Sequence, residues 1–241
     1  MAYLILGIVG SPRRNGRTNQ LVERTLEGAA STGAAVQKIF LVDFDVRPYT
    51  EEHERCPEEL SKLCEDADAI VLGAPVYWGD INGLTKDFMD TVRISNANGK
   101  YALGISMAGG TGKGLVSGVQ SIYHFFYHRQ LRGVEPTPVS RFNFDEALEG
   151  LHASGWRLAE LSRLKKPFLD LAEVIEHHQG LPYMGYDFVD EMLLLGEQLL
   201  KTAKNPEAGR ADYEKAKALV KQGKRREAVA YAVRAYTTLY Y

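Results

Sequence analysis

Along the first 140 positions, short continuous apolar runs alternate with stretches whose apolar residues recur at helical spacing. The runs are Tyr3–Val9, Val36–Val42, Ala69–Gly73 and Tyr101–Met107, with a weaker fifth at Gly133–Val139. Between them lie helical patterns at Asn19–Ser31, Pro57–Asp66, Gly83–Arg93 and Leu115–Gln130. Runs that are apolar throughout predict strands covered on both faces. Their alternation with helices predicts an α/β fold, a parallel sheet with helices on each side.

Beyond Arg141 the pattern turns helical. Asp145–Lys165 predicts another sheet-covering helix, and Pro167 to Tyr186 is mixed, with a turn at Gly180-Leu181-Pro182. Asp187–Lys204 carries Val189, Met192, Leu193, Leu195, Leu199 and Leu200 on one helical face. Two more helices follow Asn205-Pro206, Glu207–Gln222 and Lys224–Tyr240, which meet at Gly223. The pattern therefore predicts an α/β unit over residues 1–166 and a helical C-terminal extension over 167–241. Tyr231, Tyr236, Tyr240 and Tyr241 stand beside alanines in that extension. Such a tail suits either a hairpin docked on its own chain or an oligomerisation surface.

Composition narrows the class without naming a function. Hydrophobic residues make up 45% and charged residues 25% of 241, ordinary values for a globular chain with a sizeable core. A net charge of −2 supplies no bulk drive toward nucleic acid or anionic membrane. No apolar run has the length of a membrane span, and the first run begins too early for a signal peptide. The two cysteines, Cys56 and Cys64, do not make a disulfide framework and fit a reducing, cytoplasmic setting.

In a sheet of this kind ligands bind at the carboxyl ends of the strands. The loops after the first, third and fourth strands share that edge, and all three are chemically unusual. The first, Gly10-Ser11-Pro12-Arg13-Arg14-Asn15-Gly16-Arg17-Thr18-Asn19, runs into a helix N-terminus, which suits a phosphate. It lacks the lysine of a P-loop and the glycine spacing of a dinucleotide fingerprint, which leaves a phosphomonoester loop or a basic loop that only caps a helix. The second loop, Gly73 to Gly83, offers Tyr77 and Trp78 as flat faces for a planar ring, or as a lid on the core. The third, Met107 to Gly114, is rich in glycine and can bring backbone N–H groups close to a ligand, or can be a flexible connection.

Taken in this order, the three loops resemble those of the flavodoxin-like NADPH-dependent FMN reductase family, which is related to the iron–sulfur flavoproteins. Gly10-Ser11-Pro12-Arg13 with Gly16 and Thr18 is similar to the family's phosphate loop. Ala74 to Gly79 with Leu84, Lys86, Phe88 and Asp90 is similar to its second flavin loop and helix, and Ala108-Gly109-Gly110 to its third. The match covers about residues 1–166. It implies a flavodoxin-like, doubly wound, five-stranded parallel sheet of order 2-1-3-4-5 followed by the helical extension. It also implies bound FMN, held at the phosphate by Ser11, Arg13, Asn15, Gly16, Arg17, Thr18 and Asn19. Pro75, Val76, Tyr77, Trp78 and Gly79 would meet the flavin from the second loop, and Ala108, Gly109, Gly110 and Gly112 from the third.

The resemblance further implies NAD(P)H as a transient hydride donor, a small-molecule electron acceptor such as a quinone or flavin, and a homodimer or homotetramer. No protein residue is assigned the chemistry, which belongs to the flavin. Two departures stand out. Arg17 occupies a place where such loops usually carry a small polar residue. The iron–sulfur relatives carry a compact run of four cysteines, whereas two remain here, so neither a cluster nor zinc is expected. Three functions stay open: an oxidoreductase, an FMN-binding electron carrier, and a non-catalytic scaffold that assembles through its tail. His124 and His128, one turn apart, suit packing or the surface better than a substrate contact, and His177-His178 suit a solvated helix end.

Overall fold

In the computed structural model, which describes residues 3–241, the apolar runs form one sheet. The first half runs β1 (Leu4–Val9), α1 (Arg17–Ala30), β2 (Ala35–Phe40), α2 (Glu58–Asp66) and β3 (Ala69–Tyr77). A short β4 (Asp80–Ile81), α3 (Gly83–Thr91), β5 (Tyr101–Ala108) and α4 (Leu115–Arg129) follow. The sheet closes with β6 (Arg132–Gly133) and β7 (Thr137–Ser140), and α5 (Phe144–Ser162) returns over it. The path β2-β1-β3-β5-β6 is parallel throughout, which is the doubly wound order expected from the sequence. Residues 1 and 2, the start of the α/β unit, lie outside the described residues.

Two details correct the five-strand expectation, since the sheet has seven strands among the described residues. The fifth position is divided: β6 pairs with the start of β5, and β7 pairs with its end. Pro136 and Pro138 fall between and within these pieces, and proline cannot donate to a ladder. β4 folds back antiparallel on the end of β3, pairing Val76 with Ile81 and Tyr77 with Asp80.

Why the runs are continuous is visible in the two cores. Leu6, Ile8, Ile70 and Leu72 pack on one face with residues of α2, α3 and α4, among them Leu60, Phe88 and Phe126. Their neighbours Ile5, Val9, Val71 and Leu103 pack on the other with Leu21 and Val22 of α1 and Leu158 of α5. Successive strand residues face opposite sides, so a strand buried on both must be apolar at every position. Each fully buried aliphatic side chain contributes roughly 1.5–3 kcal/mol. Tyr123 belongs to the first core, wholly buried, with its hydroxyl donating to the Val134 carbonyl and accepting from the Gly104 N–H.

The later helices are α6 (Leu171–Gln179), α7 (Phe188–Thr202), α8 (Glu207–Lys221) and α9 (Arg225–Tyr240). α6 lies in the segment that the pattern left mixed. It is tied to the sheet edge by buried Arg132, which donates to Glu173 at 2.8 Å and lies 3.8 Å from the Phe168 ring centroid. His178 is buried and His177 half-buried, so the pair is not a solvated helix end. α7 opens with a reciprocal cap between Asp187 and Asp190, and Arg225 donates to both carboxylates. The apolar face of the tail docks on its own chain: Leu195, Leu199, Tyr236 and Leu239 join Ala108, Leu115 and Val116 in a third core.

Candidate functional site

The three loops meet in one cavity of about 1070 Å³ at the carboxyl edge of the sheet. It is lined by Ser11, Arg13, Asn15, Gly16, Arg17, Thr18 and Gln20 from the first loop and α1. Pro75, Val76, Tyr77, Trp78 and Gly79 line it from the second, and Met107, Gly109, Gly110, Thr111 and Lys113 from the third. Of the residues expected at a flavin, Asn19, Ala108 and Gly112 do not line the cavity. Asn19 is buried on α1, with its Oδ1 lacking a partner among the described residues. Ala108 is packed in the third core, and Gly112 faces Leu195 and Phe142.

At the first loop, α1 starts at Arg17 with no capping side chain and no acidic residue in its first turn. Its leading N–H groups and dipole are therefore available to an anion. Ser11 and Thr18 are buried beside it, and the Ser11 hydroxyl accepts from the Arg13 N–H at 3.1 Å. Arg13 and Arg17 bring charge to the same end, while Arg14 turns away to pair with Asp43. The Arg17 guanidinium lies 5.0 Å from the Phe144 ring centroid, which steadies its long side chain against α5.

The start of this loop is locked to the second. The Gly10 N–H donates to the Gly73 carbonyl at 2.8 Å, and Asn82 donates to the Gly10 carbonyl at 2.9 Å. Asn82 in turn accepts from the Thr85 hydroxyl at 2.7 Å. A Cβ at position 10 would fall 1.9 Å from that hydroxyl, so only glycine permits the approach. Asn82 and Thr85 are buried polar groups that hold two loops in register. As part of a helix start, they carried no sign of that role in the sequence.

The second and third loops supply the flat, apolar end. Trp78 is fully exposed, Tyr77 is half exposed, and Trp78 holds a φ of 56°, a conformation that bulky residues rarely adopt. A Cβ at Gly109 or Gly110 would meet nothing within 4 Å, so this backbone faces open space. Met107, Thr111 and Lys113 of the third loop also line the cavity, although the resemblance did not place them among the flavin contacts, and Gln20 joins them from α1. Among the described residues that line it, Arg13, Arg17 and Lys113 are the cations and there is no carboxylate. His124 and His128 are exposed on α4, away from the cavity, and Lys86 pairs with Asp90 on the surface of α3.

A cationic, donor-rich end at a helix N-terminus, joined to an aromatic end with bare backbone, fits a planar ring carrying one terminal phosphate. The residues present thus fit FMN. The cysteines have a different setting. Both are buried; burial raises the Cys56 thiol above its ordinary value and pushes Cys64 up to about 12. Among the described residues, no group of three or more His, Cys, Asp or Glu is placed to hold a metal.

Comparison with known proteins bears on the family, the fold and the cofactor. The sequence profile of the family described as NADPH-dependent FMN reductase matches residues 3–139. An iron–sulfur flavoprotein of Methanocaldococcus jannaschii is 30% identical over 194 residues, spanning 67% of this chain and 98% of the relative. One from Methanosarcina thermophila is 25% identical, spanning 51% and 72%. Two cysteines do not make the four-thiolate set of an iron–sulfur cluster. Among solved structures, a flavone reductase has a TM-score of 0.55 at 20% identity, covering 69% of this chain and 66% of its own. An NADH:FMN oxidoreductase has a TM-score of 0.54 at 20% identity, covering 77% and 100%, and both likenesses are of fold. With its family profile spanning the sheet and all three loops, the chain belongs to the NADPH-dependent FMN reductase family, a flavodoxin-like flavin oxidoreductase with FMN as cofactor and NAD(P)H as donor.

Proposed function

We propose that this chain passes reducing equivalents from NAD(P)H to a small, diffusible acceptor, a quinone, a free flavin or another aromatic oxidant, at the three-loop cavity. Residues 1–166 would form the flavin-binding unit and 167–241 an extension that supports it. The observation that carries the reading is the lining: three cations, no carboxylate, and an aromatic end open to solvent. FMN bound there would supply two-electron chemistry, taking a hydride from the nicotinamide and returning electrons to the acceptor.

The protein's part is binding, orientation and electrostatics. Ser11, Thr18 and the open N-terminus of α1 would hold the phosphate dianion, with Arg13 balancing its charge. Tyr77 and Trp78 would cover the ring and exclude water from it. A one-electron carrier is served by acidic groups around its flavin, which oppose a reduced anion. Lys113 and the cation-only lining act the other way and favour two-electron transfer.

Two measurements test this. Purified protein saturated with FMN should bleach in one two-electron step when titrated with NADPH or NADH without oxygen; bound flavin that stays oxidised would leave a carrier or scaffold. Ser11→Ala with Thr18→Val removes two hydroxyls while keeping their packing. Each charge-assisted hydrogen bond lost should cost roughly 1.5–3 kcal/mol of FMN binding. Unaltered affinity in the double variant would contradict the phosphate assignment.

A further inference from the structure

Two helices begin at the edge of the cavity. α1 starts at Arg17, which lines it, and α4 is capped by Gly114, the residue after Lys113, which also lines it. Neither has an acidic residue in its first turn or a side-chain cap from its own N-cap residue. The first stays open. The second is filled from a distance: one oxygen of Glu191 on α7 accepts from the Gly114 N–H at 3.0 Å, and the other from the Val116 N–H at 3.1 Å. Glu191 is itself buried, with 6% of its surface exposed.

We propose that Glu191 is a positioning residue of the flavin site, an internal anion that closes the N-terminus of α4 and so fixes the third loop, and its joint with the second, around the cofactor. The proposal rests on the FMN reading above. A carboxylate taken out of water is costly unless its oxygens are met by donors, and here both are. The donors it uses belong to Gly114 and Val116, which lie just behind the cavity lining, so the carboxylate acts on the third loop from its far side.

The same contact holds the joint between the second and third loops. Gly114 has a φ of +88°, and a Cβ there would lie 2.6 Å from Gly79 Cα and 2.8 Å from Val76 Cγ1, both in cavity-lining residues. Ser117, one turn into α4, donates to the Gly79 carbonyl. The tail grips the third loop at two further points. Leu195, one turn after Glu191, fills the space against Gly112, and the Tyr236 hydroxyl donates to the Thr111 carbonyl at 2.8 Å. A carboxylate behind this loop also opposes negative charge gained by a reduced flavin in front of it.

Glu191→Gln tests the role, because the amide keeps the shape but turns a donor toward an N–H and removes the charge. FMN should bind about tenfold more weakly, within the usual range of coupling between sites. The midpoint potential of the bound flavin should become more positive, a change that a purely structural cap would not produce. A folded variant with wild-type affinity and potential overturns the proposal. Should the variant fail to fold, hydrogen exchange on the wild-type chain decides. By reciprocity, FMN must add protection to α7 as well as to the amides of Gly114 and Val116; no added protection in α7 overturns it. A wild-type chain that takes up no FMN removes the flavin reading and this one together, whereas FMN uptake with unchanged exchange in α7 removes this one alone.

Discussion

At the scale of single residues, Trp78 is the position where folding and binding are in conflict. Its left-handed backbone costs of order 1–3 kcal/mol in a bulky residue, and its fully exposed indole gains nothing from packing in return. Glycine would relieve the strain and return about 0.5–1 kcal/mol of it as unfolded-chain entropy. Trp78→Gly should therefore stabilise the apoprotein by about 1 kcal/mol, raising its melting temperature in calorimetry. The same change should weaken FMN in a fluorescence titration, because it removes one of the two aromatic faces at the ring end of the cavity. A variant that melts no higher would show that the indole is supported in the free protein.

At the scale of elements, α6 carries a pH dependence. Its His177 ring nitrogen lies 2.7 Å from the Gly133 carbonyl, and His178 Nδ1 lies 2.9 Å from the Val174 carbonyl. Burial holds both below their ordinary value of 6.5, with the Arg132 guanidinium adding to the effect and His124 facing His178. The unfolded chain thus takes up protons at a higher pH than the folded one. The stability these residues contribute is complete above about pH 6.5 and is lost as pH falls through their lowered folded values. Urea midpoints should decline from pH 7.5 to pH 5, and His178→Phe, which suits the surrounding Tyr127 and Phe168 rings, should flatten that decline. An unaltered slope would assign the effect elsewhere. Nothing in the local sequence distinguished this pair from a solvated helix end, because the burial comes from α4, from β6 and from the chain after α5. The strands buried on both faces were legible from their unbroken apolar runs, and so were the loops, which are contiguous in sequence. The fifth strand was legible only as the weak run Gly133–Val139, and its division into two pieces was not, since each piece is too short to leave a period. Glu191 was not either, because a cap supplied from another helix leaves no local spacing to read.

At the scale of the molecule, FMN should act as a staple. A ligand present at one hundred times its Kd adds about 2.7 kcal/mol. In a chain of this size that corresponds to roughly 5–11 °C of melting temperature. The increase should appear in one cooperative transition, since the third core joins the sheet edge to the tail through Leu115, Val116, Leu195 and Tyr236. Two separate transitions, with only the first moved by FMN, would mean that the tail melts independently. No helix among the described residues is long and apolar enough to cross a membrane, and the outer face of α9 leaves Val229 and Val233 about half exposed. The Tyr236–Thr111 contact also sets a clock. Its partners are 125 residues apart, and a ribosome adding about 5–20 residues per second needs roughly 6–25 s between them. For that interval a nascent chain holds all three cavity loops without the helix that steadies the last of them, so the cavity matures after its own lining residues have been synthesised.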